Sequence, residues 1–273
     1  MTAIRRALTA ALCAAALAFA ANVARAHEFW LSPLAYRVDP GAPLQADIRV
    51  GQKFGGTAFA YLPPDIARFD IVMGDAVIAV TGRPGDRPAL NMPVPGEGLA
   101  VVVHVTRDMR LTYSEAQKFI DFVTHKDLTG VLQAHEARGL PPQGFVERYT
   151  RYAKSLIAVG AGAGADRAVG LETEIVALAN PYTDDTSAGL PVQVLYQGAP
   201  RADVQVELFE RAPDGTVSIS QLRTDATGQA LLPVRPGHEY LVDSVVMRPL
   251  DPPGDEGAVW HSLWASLTLQ IPG

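Results

Sequence analysis

The stretch Pro95-Gly96-Glu97-Gly98-Leu99-Ala100-Val101-Val102-Val103-His104-Val105-Thr106 decides the fold class of this chain. A Pro-Gly-x-Gly turn runs straight into eight β-prone residues, which predicts a short strand. Alternation puts Val102 and His104 on one face and Val101, Val103 and Val105 on the other. Comparable runs lie at 46–50, 69–72, 76–80 and 154–159. The second half repeats the pattern at 172–178, 190–196, 204–210, 229–234, 240–247 and 263–271. Explicit turns punctuate it, as in Gln197-Gly198-Ala199-Pro200, Pro213-Asp214-Gly215 and Thr224-Asp225-Ala226-Thr227-Gly228. Strands at this spacing predict a mainly β chain of two tandem β-sandwich domains, immunoglobulin-like or transthyretin-like.

One segment breaks the β pattern. Ser114 is placed to cap a helix, with Gln117 three residues on. Phe119, Ile120 and Val123 form its apolar face, and Leu128, Val131, Leu132 and His135 continue in a second short helix. Gly139 and Pro141-Pro142 end it. The first sandwich is therefore expected over 27–160, with a helical insertion at 114–139. The small residues from Gly160 to Ala165 predict a flexible linker at 161–169, and 170–273 form the second sandwich.

Residues 1–26 read as a secretory signal peptide. Arg5 and Arg6 precede an apolar run at 7–21, and Ala24-Arg25-Ala26 is a small-x-small cleavage site. Cleavage between Ala26 and His27 predicts a periplasmic protein. It removes three arginines, no acid and the lone Cys13, taking the formal net charge from -6 to -9. The rest of the chain has no apolar stretch of the roughly 20 residues a membrane span needs. So acidic a chain lacks the electrostatic footprint of a nucleic-acid binder. Hydrophobic residues at 48% and charged residues at 19% are enough for a sizeable core.

Without Cys13 there is no thiol chemistry, disulfide or Cys-based zinc site. No nucleophile elbow, His-Glu-x-x-His helix, phosphate loop or dinucleotide fingerprint is present. The chain therefore reads as a non-enzyme, and any catalysis would be metal-centred. The histidines carry the candidate chemistry. At a processed N-terminus, His27 offers an α-amine and a ring nitrogen to one divalent transition metal. His104, on a rigid strand, is the expected partner ligand. His261 is a third candidate, shielded by Trp260 and Trp264. His125, beside Lys126 and Asp127, reads as a solvated helix end, His135-Glu136 as an exposed helix face and His238 as a turn residue. Arg148, Tyr149, Arg151, Tyr152 and Lys154 suit ion pairing between the two halves. The carboxylates of the 251–256 loop read as solvated.

Several segments together carry a family resemblance. They are His27-Glu28-Phe29-Trp30-Leu31, the 148–154 segment, Gly170-Leu171-Glu172-Thr173-Glu174-Ile175-Val176, Ala179-Asn180-Pro181-Tyr182 and Trp260-His261-Ser262-Leu263-Trp264. In this order they resemble the exported NikM-like domain-of-unknown-function family, described as the periplasmic component of cobalt/nickel uptake systems. The resemblance implies nickel or cobalt as the metal and metal-uptake membrane proteins as partners. It also marks Trp30, Trp260 and Trp264 as motif residues. A copper-binding histidine brace built on the same His27 atoms, and a metal-free interaction module of the cell envelope, are the alternative readings.

Overall fold

The computed structural model describes residues 27–273. The signal-peptide reading, with Cys13, lies outside the described residues. Nine strands come first: β1 (Glu28–Pro33), β2 (Arg37–Val38), β3 (Pro43–Gln52), β4 (Gly55–Phe59), β5 (Ile66–Met73), β6 (Ala76–Ala79), β7 (Leu90–Pro93), β8 (Gly98–Thr106) and β9 (Met109–Thr112). Two helices follow, α1 (Ala116–His125) and α2 (Val131–Ala137), then β10 (Val146–Val159). The second half holds β11 (Thr173–Ala177), β12 (Leu190–Tyr196), β13 (Ala199–Pro200), β14 (Gln205–Arg211) and β15 (Val217–Arg223). It ends with β16 (Gln229–Leu232), β17 (Glu239–Pro249) and β18 (Ala258–Gln270). The fold is mainly β and built of sandwich layers, as the strand spacing predicts.

Three sheets make those layers. A central sheet runs in the order β15-β14-β17-β18-β10-β8-β5-β6, with β2 and β9 also on β10. One outer sheet is β1-β3-β4 with β7 on β3, and the other is β11-β12-β13 with β16 on β12. The central sheet joins the two halves of the chain, because β10 pairs in parallel with β18 from Glu147↔Trp260 to Ser155↔Thr268.

Alternation along the central strands sorts the cores. On one face, Val102, Ala153 and Ile157 meet Phe29, Leu31 and Leu44 of the first outer sheet. On the opposite face, Val101, Val103, Leu156, Leu263 and Leu267 meet Ile175, Val192 and Val194 of the second. The helices cover the rest of the first face, packing Phe119, Phe122 and Val123 on Trp260 and Trp264. β8 and β10 are thus buried on both faces, which is why the 99–106 run is nearly all apolar.

Several local expectations need correction. β10 begins at Val146, so the basic-aromatic residues 148–154 lie inside a strand, paired with residues 261–267 of β18. β15, an edge strand with Val217 and Ile219 alternating with serines, is a further strand beyond the predicted runs. The cap residue of α1 is Glu115 rather than Ser114, and it makes no side-chain capping bond. Within 161–169, Asn180 Nδ2 donates to the carbonyls of Gly162 and Gly164 at 2.8 Å. Gly162 has φ +69°, and a Cβ there would stand 2.6 Å from that of Ala158, so glycine is required by a close approach as well as by conformation.

Candidate functional site

His27 lies exposed directly before β1. The His27 carbonyl accepts from Arg151 Nη2 at 3.3 Å. Phe29 and Leu31 enter the first core, as their alternation predicts, while Trp30 packs on Phe54 in a small cluster with Phe209 and Leu241. Trp30 is a packing residue of the β1 face opposite Phe29.

His104 is buried at 2% exposure, on the face shared with Ala100 and Val102. Its ring lies 5.3 Å from that of Phe29 and 5.0 Å, edge-on, from that of Phe69. Both ring nitrogens lack a hydrogen-bond partner. Burial lowers its pKa to about 3, so the ring is neutral. Phe29 links the two leading candidates: it is two residues from His27 and in ring contact with His104. Among the described residues, no group of three or more His, Cys, Asp or Glu side chains is gathered to hold one metal ion.

His261 sits elsewhere, on the opposite face of the central sheet, side by side with Arg148 of β10 and Arg248 of β17. Nδ1 accepts from Arg248 Nη2 at 3.1 Å and from Arg148 Nη2 at 3.3 Å. Nε2 is 2.8 Å from Thr150 Oγ1, which donates to Asp108 Oδ1 at 2.6 Å. Since guanidinium groups only donate, Nδ1 is the acceptor and Nε2 carries the proton. Burial first, then the charges of Arg148 and Arg248, lower the pKa to about 4. Both nitrogens are engaged and two cations flank the ring, so His261 is unsuited to hold a metal ion.

Trp260 and Trp264 do not shield His261; they project from the other face of β18. Trp260 Nε1 donates to His135 Nδ1 at 2.9 Å, and His135 Nε2 bonds the Pro141 carbonyl at 2.9 Å. His135 is therefore buried and structural, not on an exposed helix face. Trp264 stacks on Phe122 at 5.3 Å.

A second polar centre has no counterpart in the sequence reading. Lys126, expected at a solvated helix end, is buried with Nζ 2.7 Å from both Glu207 and Asp243 and 3.8 Å from Glu28. Burial alone would depress its pKa, but the three carboxylates raise it. Burial pushes Glu28 up to about 7, partly offset by Lys126. His125 Nε2 lies 3.2 Å from Glu207, whose hydrogen bond raises its pKa. The carboxylates around Lys126 are 81 to 117 residues away, so no local motif announces the cluster. Lys154 forms a similar centre with Asp166 and Glu174, at 2.8 and 3.0 Å, which ties the 148–154 segment to the second half.

None of the described helices is long and apolar enough to cross a membrane. No curated protein matches the chain. A solved tetra-tandem repeat from the extending region of a large adhesion protein is similar over 90% of this chain and 50% of that one, at 9% identity and a TM-score of 0.21. This chain spans about half the length of that structure, and the likeness carries no argument about fold or function. The family model described as Domain of unknown function (DUF4198) matches residues 24–248, and the chain belongs to that family.

Proposed function

We propose that the chain is a periplasmic accessory protein that binds a divalent transition metal, nickel or cobalt, and presents it to a membrane uptake system. The metal is cargo. The ligands are the α-amine and ring of His27, exposed once the leader is removed, with His104 as the partner. The observation that supports this is the orphaned imidazole of His104, whose two buried nitrogens lack partners beside Phe29. A buried polar group without a partner is costly, which fits a group kept for a ligand. The neutral ring needs no proton displaced before it can bind a metal. Phe29 is only two residues from His27, so a shift of the β1 start that opens His104 also moves His27.

Mass spectrometry of the exported protein first establishes whether the chain begins at His27. Nickel, cobalt, zinc and copper are then titrated into that protein. The expected result is saturable binding that His27→Ala weakens at least roughly tenfold, about 1.4 kcal/mol. Equal binding by the wild type and His27→Ala defeats the proposal. Copper bound through three nitrogens, read by electron paramagnetic resonance, supports the brace instead. Absence of binding by every metal supports the metal-free interaction module.

A further inference from the structure

The most unusual polar geometry outside the His27 region is the meeting of two guanidinium groups on one neutral nitrogen. Arg148, His261 and Arg248 are register neighbours on β10, β18 and β17, facing the second outer sheet. Arg248 Nη1 also donates to Glu172 and, at 3.2 Å, to Tyr196 Oη; both acceptors lie at the end of the β11–β12 pair. The cluster therefore lies at the mouth between the central sheet and that outer sheet. His261 is its buried floor at 3% exposure, while the Arg148 and Arg248 side chains keep 23% and 30%.

We propose that Arg148 and Arg248 form an anion-binding site that takes an oxyanion, a carboxylate or phosphate group, over His261. A neutral imidazole nitrogen has one lone pair, yet two cationic forks aim at it. Their contacts of 3.1 and 3.3 Å are longer than charge-assisted bonds to an oxyanion, at roughly 2.7–2.9 Å. An oxyanion supplies a separate oxygen to each fork. The balancing acids stand to the sides: Asp108 Oδ2 is 3.4 Å from Arg148 Nε, and Glu172 is on Arg248 Nη1. The chain from His261 Nε2 through Thr150 to Asp108 holds the ring in one tautomer, with its acceptor side toward the arginines.

The site is independent of the proposed metal ligands and is tested on metal-free, chelator-treated protein. Inorganic phosphate and acetate are titrated separately at constant ionic strength, with chloride as the control. The His261 ring is followed by nitrogen-15 NMR, because departure of the guanidinium donors changes the Nδ1 signal. The expected result is a saturable shift with phosphate, acetate or both, and none with chloride; which anion shifts the signal identifies the ligand class. Arg248→Gln and Arg248→Lys are each expected to weaken binding roughly tenfold, the lysine variant because it keeps the charge but not the fork. Arg235→Gln, remote and 72% exposed, leaves binding unchanged. No saturable shift with either oxyanion, or equal binding by Arg248→Lys and the wild type, overturns the proposal.

Discussion

Two buried residues show how environment sets chemistry one side chain at a time. Glu147 is buried, with Tyr113 donating to Oε2 at 2.6 Å and Ser262 bonded to its other oxygen. Burial wins over these bonds and pushes its pKa from 4.5 to about 7. Between those values the folded protein holds a proton that the unfolded chain has released. Its stabilising contribution is therefore full below pH 4.5 and lost as pH rises through about 7. Glu147→Gln removes that dependence. Urea denaturation across the window should show the stability difference moving in the variant's favour by about 3 kcal/mol as pH rises, at about 1.36 kcal/mol per pKa unit. A difference that stays flat with pH means that Glu147 does not titrate there. His104 gives the converse case. His104→Leu removes two unpartnered buried nitrogens and is expected to raise stability by about 1 kcal/mol while weakening metal binding. Loss of stability without loss of metal binding would mark His104 as a packing residue only.

At the scale of elements, the helical insertion is held by one buried ammonium as well as by aromatic packing. Lys126 directly follows α1, and its Nζ reaches Glu207 on β14, Asp243 on β17 and Glu28 on β1. It also lies 5.1 Å from the centre of the Trp264 ring. Lys126→Met leaves the carboxylates buried without their counter-charge, at a cost of about 3–5 kcal/mol. Combining it with Glu207→Gln and Asp243→Asn should recover most of that loss. Chemical denaturation measures both, and a triple variant no more stable than Lys126→Met would show that the three groups are not coupled. The helices themselves were legible from Phe119, Val123 and Val131, because an apolar face follows a local period. The burial of Lys126 and His135 was not, because it depends on strands distant in the chain.

Across the whole molecule, the central sheet makes one structure of two β-rich halves. β10 contributes Ala153 and Ile157 to the first core and Leu156 and Ala158 to the second. Its neighbours β8 and β18 come from opposite halves of the chain. Calorimetry is therefore expected to record a single unfolding transition. Residues 27–160 made alone should fail to fold, since β10 then loses the partner strand β18 and the second outer sheet. Two separable transitions, or a folded 27–160 fragment, would establish independent units.

By itself the sequence determined that this is a β protein, where most strands lie and where two short helices interrupt them. These features follow from local periodicity and from Gly, Pro and Asp at turns. It also singled out His27 and His104 through residue type and position. Only the tertiary structure decided which polar groups meet. It placed Arg148 and Arg248 on His261, Lys126 among three carboxylates, and Trp260 and Trp264 under the helices. Such contacts join residues far apart in the chain, 125 positions in the Trp260–His135 bond. Their geometry comes from strand register and sheet order, which no window of local sequence encodes.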